Sequence, residues 1–113
     1  MTLLVFICNQ PDKLEEILEG FVEIGITGAT IVDSVGMGRL LSSEVPIFAG
    51  FSSMFRGASA VNKTIMSVID DPEKIQEAYT IIEDAVGSLA EPGAGIAFTI
   101  PIENVKGLKP ELG

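Results

Sequence analysis

Chemistry begins in this chain at Gly36-Met37-Gly38-Arg39, where two glycines stand two residues apart and an arginine follows at once. Glycines so spaced let backbone N–H groups come close to an anion, and the Arg39 guanidinium would supply the countercharge. The same four residues would also serve as a hinge at the base of a long loop. A second pair, Gly93 and Gly95, would offer backbone N–H groups to a small or weakly charged ligand, or form the turn that feeds the next strand. Lys106 and Lys109 fit either a reach into a neighbouring cleft or a soluble tail. Asp70, Asp71 and Glu73 are metal-ligand types, but capping of a helix that starts at Pro72 accounts for them. Cys8 lies inside an apolar strand, where a thiol is expected to be inert. No catalytic residue and no metal site are assigned.

Composition limits the chemistry further. The chain has 113 residues, with 7 Lys and Arg against 16 Asp and Glu, a net charge of −9, and no His. The lack of His removes His-based triads, His proton shuttles and His-ligated zinc, and a single Cys removes a four-cysteine zinc site. A pI near 4.2 argues against nucleic acid as a partner. With 47% apolar residues this is not a disordered acidic tail. The apolar start Leu3–Cys8 lacks a basic leader, and no apolar run approaches the ~18 residues of a membrane-spanning helix. A soluble, cytoplasmic protein without membrane insertion is expected.

The elements that must position these residues follow from periodicity. Residues 2–8 predict a strand. Leu14, Ile17, Leu18, Phe21 and Val22 at helical spacing predict an amphipathic helix over 11–24, stopped by Gly25. Ala29–Ser34 predicts a second strand and Val61–Ile69 a third. Asp70-Asp71-Pro72 opens a second helix whose core face carries Ile75, Ala78, Tyr79, Ile82 and Val86, with Gly87 as its end. Ile96, Phe98, Ile100 and Ile102 alternate with Ala97, Thr99, Pro101 and Glu103 as a fourth strand, and Pro101 puts it at a sheet edge or a strand end. The order βαββαβ predicts a single α+β domain over 1–113, a ferredoxin-like sandwich of a four-stranded antiparallel sheet with two helices on one face. A long loop spans 35–60 and a tail spans 103–113.

Both alternating sets of the first strand are apolar: Leu3, Val5 and Ile7 on one side, Leu4, Phe6 and Cys8 on the other. The third strand likewise sets Ile65 against Met66, and Val68 against Ile69. Two helices cover one face only, so burial against further copies of the chain is expected. Cover by the 35–60 segment is the alternative.

The run Gly25-Ile26-Thr27-Gly28-Ala29-Thr30, followed by Gly36-Met37-Gly38-Arg39, resembles the P-II nitrogen-regulatory family. The Asp70-Asp71 helix start and the tail Phe98-Thr99-Ile100-Pro101-Ile102-Glu103-Asn104-Val105 resemble it as well. The resemblance implies a homotrimer with sheets packed inward and clefts between subunits that bind adenine nucleotides, often with 2-oxoglutarate. It also implies sensing and signalling rather than catalysis. Thr30, Gly36, Met37, Gly38 and Arg39 match positions that line the family's nucleotide cleft, and Gly93, Gly95 and Lys109 complete the expected ligand set. The sequence departs from the family pattern at two places. Gly87–Gly95 carries no Lys and includes Glu91 where the family has a Gly-Asp-Gly-Lys-like run, and the family's two C-terminal arginines fall at Gly107 and Lys109. The 35–60 loop matches the family's signalling loop in position but not in content. It lacks tyrosine and offers Phe48, Phe51, Met54, Phe55 and Arg56 as a partner-binding set.

The expected function is therefore that of a trimeric regulator, not an enzyme. It would sense a small effector, an adenine nucleotide among the candidates, and act on an unknown partner protein through the 40–60 loop. The alternatives are a ligand- or metal-binding trimer resembling the divalent-cation-tolerance family, and a small-molecule enzyme using carboxylates with Arg39.

Overall fold

The apolar strand Thr2–Cys8 (β1) is the centre from which the rest is built. A computed structural model of the chain describes residues 1–37 and 62–108. The expected site residues Gly38, Arg39, Phe48, Phe51, Met54, Phe55, Arg56 and Lys109 lie outside the described residues.

After β1 the chain enters a 3-10 turn, Pro11–Lys13, and then helix α1, Leu14–Glu23. The single helix expected over 11–24 is thus divided. Pro11 has no N–H to give, and the first bond, from the Lys13 N–H to the Gln10 carbonyl at 2.9 Å, closes the tighter turn. Gly25 ends α1 at φ +88°. The Ile26 N–H donates to the Phe21 carbonyl at 2.8 Å and the Gly25 N–H to the Val22 carbonyl at 3.0 Å. This is a Schellman closure, and Ile26 and Phe21 make its accompanying apolar contact inside the core.

Strand β2, Thr30–Ser34, and strand β3, Asn62–Ile69, flank the 38–61 segment. Helix α2 spans Glu73–Val86, beginning one residue later than expected from Pro72. The cap is Asp71, whose carboxylate accepts the Glu73 N–H at 3.0 Å. Strand β4, Gly95–Pro101, runs at a sheet edge with Pro101 as its last residue, where the missing N–H breaks no ladder bond.

The sheet order is β2-β3-β1-β4 with every neighbouring pair antiparallel, the ferredoxin-like arrangement. The register sends Leu4, Phe6 and Cys8 of β1 and Ile65 and Ile69 of β3 toward the helices. There they meet Ile17 and Phe21 of α1 and Ala78 and Ile82 of α2 in one core. A fully buried side chain of this size contributes about 1.5–3 kcal/mol. The two helices approach closely at Gly20, where a Cβ would stand 2.6 Å from Ile81 Cγ2.

Among the described residues, no helix lies on the opposite face of the sheet. Leu3, Val5 and Ile7 of β1 stand there between Met66 and Val68 of β3 and Ile96, Phe98 and Ile100 of β4. Ile96 is 55% exposed and Ile100 46%. The expectation of an apolar second face is met.

Gly95 shows how tightly β4 seats on β1. A Cβ there would lie 2.6 Å from the Ile7 carbonyl oxygen and 2.9 Å from the Phe6 ring, at φ +126°. Gly95→Ala should therefore destabilise the protein by about 3 kcal/mol or more, since backbone cannot yield as a side chain does. Gly28→Ala, with nothing within 4 Å of its Cβ, should stay within about 0.5 kcal/mol. Thermal or urea unfolding of the two variants checks the contrast.

Candidate functional site

The residues that the sequence singles out gather at the two ends of β2. Thr30 begins the strand and Gly36 follows its end. At about 3.3 Å per residue, the four steps from Thr30 to Ser34 span about 13 Å.

At the Thr30 end lies an open cavity of about 560 Å³. Its walls are the α1–β2 connection Gly25–Ala29, Thr30, Met66 and Val68 of β3, Asp70 and Lys74 at the start of α2, and Met1 and Leu108 from the two termini of the described chain. Two bonds fix the connection. The buried Ser67 hydroxyl donates to the Gly28 carbonyl at 2.6 Å, and the Lys74 ammonium donates to the Gly25 carbonyl at 3.3 Å. The cavity thus joins an apolar wall to a polar rim of peptide groups, the Thr30 hydroxyl and one charge of each sign, which suits a small mixed ligand.

At the other end of β2 a chain of side-chain hydrogen bonds crosses the sheet. The Ser34 hydroxyl donates to the Asn62 Oδ1 at 2.5 Å and pairs with the Thr64 hydroxyl at 2.7 Å. The Asn62 Nδ2 donates to the Asn9 Oδ1 at 3.0 Å, and the Asn9 Nδ2 donates to the Gly93 carbonyl at 3.3 Å. Gly36 packs beside the Asn62 carboxamide. The two glycine turns read from the sequence, Gly36 and Gly93–Gly95, are therefore tied to one framework. Met37, 72% exposed, continues from it. Lys63 at this end forms an ion pair with Asp33.

The loop after α2 is closed on itself. The Gly87 N–H donates to the Glu83 carbonyl at 2.9 Å, and the Leu89 N–H to the Glu83 carboxylate at 2.9 Å. The Ala90 N–H donates to the Ser88 hydroxyl at 3.2 Å, the Glu91 N–H to the Ser88 carbonyl at 3.1 Å, and the Ala94 N–H to the Glu91 carbonyl at 3.4 Å.

Sequence reading brings Thr30 and the Gly36 turn into one site, whereas within one chain they stand at opposite ends of a strand. It misses Asn9, Asn62 and Ser67 altogether. Ser67 had a legible signal, a small polar residue interrupting the core-facing series Ile65, Ser67, Ile69. Asn9 and Asn62, 53 residues apart, had none. Asp70, Asp71 and Glu73 make no metal cluster, and among the described residues no group of three or more potential ligands converges. Nor is any described helix long and apolar enough to cross a membrane.

Cys8 is fully buried in the core, donating to the Gln10 carbonyl at 3.2 Å. Burial pushes its thiol above the ordinary value of 9.0, and the negative charge of Asp12 adds to the shift. The unfolded thiol ionises first, so this group's contribution is complete below 9.0 and is lost as the pH rises beyond it. Iodoacetamide should leave Cys8 unmodified in the native protein at neutral pH and alkylate it only on unfolding, as mass spectrometry would read. Ser67→Ala should cost about 1 kcal/mol, the net contribution of its hydrogen bond to the Gly28 carbonyl, measurable by urea denaturation.

The model of the family described as nitrogen regulatory protein P-II matches residues 1–111 of the chain. Among individual proteins, the nitrogen regulatory protein P-II of Azospirillum brasilense is 29% identical over 100 residues, covering 85% of this chain and 81% of its own length.

Proposed function

Because the chain belongs to the nitrogen regulatory protein P-II family, we propose that it is a homotrimeric sensor that binds a small effector in clefts between its subunits. Members of the family are regulators rather than enzymes. An adenine nucleotide is the leading effector candidate, with residues Thr30, Gly36, Met37, Gly38, Arg39, Gly93, Gly95 and Lys109 forming the cleft. Residues 40–60 engage a partner protein through Phe48, Phe51, Met54, Phe55 and Arg56, and the family's name points to nitrogen metabolism as the pathway.

The observation that carries this reading is the family match across residues 1–111, which runs through both halves of the fold. The apolar second face of the sheet supports the trimer, since packing it against two further copies removes it from water. The separation of Thr30 from the glycine turns supports a shared cleft. A neighbouring copy that set its Thr30 cavity beside the Gly36 and Gly93 turns would complete a site that one chain holds only in halves. The hydrogen-bonded chain from Gly93 through Asn9 and Asn62 to Ser34 supports signalling, because it joins the effector turn to both ends of the 38–61 segment.

A thermal-shift series with ATP, ADP, AMP, cyclic nucleotides and 2-oxoglutarate tests the proposal. At saturation the effector should raise the melting temperature by about 4 °C or more. Arg39→Ala should abolish the rise and Thr30→Ala should reduce it. A rise that Arg39→Ala leaves unchanged would move the site elsewhere, and no rise with any of these compounds would refute the effector class.

A further inference from the structure

In the reading above the loop after α2 faces the effector, and its hydrogen bonds limit which effector it can hold. A loop cradles polyphosphate by pointing successive free N–H groups at the anion and adding a cation. In residues 87–94 the N–H groups of Gly87, Leu89, Ala90, Glu91 and Ala94 already have acceptors within the chain, and Pro92 has none to give. At most Ser88 and Gly93, with Gly95 beyond them, are left to an outside anion.

The acceptor at Leu89 is itself a carboxylate, that of Glu83, at 2.9 Å. An anion seeking this N–H must displace a group of its own sign. Glu91 adds a second exposed negative charge, and residues 87–95 contain neither Lys nor Arg. The nearby Lys63 is held by Asp33. Arg39 in the glycine turn and Lys109 in the tail are the cations among the residues proposed for the cleft. A phosphate monoester carries about two negative charges at neutral pH, and each further phosphate adds to a field that these carboxylates already oppose.

We propose that the effector carries no more than one phosphate group, and that Glu83 and Glu91 make the site reject nucleoside di- and triphosphates. This deepens, and rests on, the proposal that Gly93 and Gly95 belong to the effector cleft. Glu83 acts by occupying the Leu89 N–H and Glu91 by repulsion. The Asn9 bond to the Gly93 carbonyl holds the turn in place beside them.

Isothermal titration of the intact protein with AMP, ADP and ATP, each with magnesium at one ionic strength, provides the test. The double variant Glu83→Gln with Glu91→Lys, at two exposed positions, is measured alongside. AMP should bind at least about tenfold more tightly than ATP to the unaltered protein, and the double variant should improve ATP binding by about tenfold or more with a smaller change for AMP. Raising the salt should narrow the AMP-to-ATP ratio, since the repulsion is between exposed charges. ATP binding as tight as AMP in the unaltered protein would overturn the inference while leaving the effector cleft standing. A double variant with an unchanged ratio would remove Glu83 and Glu91 from the mechanism. Failure of all three nucleotides to bind would overturn the cleft itself, and this inference with it.

Discussion

The structure depends on one imbalance: a four-stranded sheet with apolar side chains on both faces and, among the described residues, helices on only one. Leu4, Phe6, Ile65 and Ile69 are buried beneath α1 and α2. Leu3, Ile7, Met66, Val68, Ile96, Phe98 and Ile100 stand on the other face, away from both described helices, with Ile96, Phe98 and Ile100 exposed. Alternation in an antiparallel strand cannot be relaxed locally, because a one-residue slip would move every side chain to the wrong face. Both apolar sets are therefore built into the fold. The proposed trimer is the arrangement in which the second set also leaves water.

That imbalance also organises the candidate site. In the proposed trimer, with the open face packed against copies of itself, the ends of the edge strand β2 would lie at subunit borders. One end carries Thr30 and the cavity braced by Ser67 and Lys74; the other carries Gly36 and, through Asn62 and Asn9, Gly93. The segment proposed to meet the partner protein leaves the described fold after Met37 and returns at Asn62. The turn proposed to meet the effector and the base of the segment proposed to signal thus share one set of hydrogen bonds, a short route between them in the proposed function.

Much of the fold was legible in the sequence, and for identifiable reasons. A continuous apolar run placed β1 at its observed bounds, alternation placed β4 to within two residues, Gly25 stands at the left-handed stop of α1, and Asp71 caps α2 as its side chain allows. These are local signals, each contained within a few residues. The Pro11–Lys13 turn was missed because its residues fit an α-helical pattern equally well, and only the missing proline N–H selects the tighter form. The site was harder to read. Thr30 and Gly36 look adjacent along the chain, yet an extended strand separates its ends by a distance that a helix would not. The Asn62–Asn9 bond depends on a register between β1 and β3 that no local pattern states. The acceptors in 87–94 were equally hidden, since a glycine-bearing loop with free N–H groups and one with filled N–H groups read alike.

The central claim is that the open sheet face is an interface among three copies, and the most direct measurement of it is the mass in solution. Light scattering on the size-separated protein at micromolar concentration should report three times the 11.9 kDa chain, and Phe98→Glu on the open face should lower that mass. A stable 11.9 kDa monomer would contradict the account.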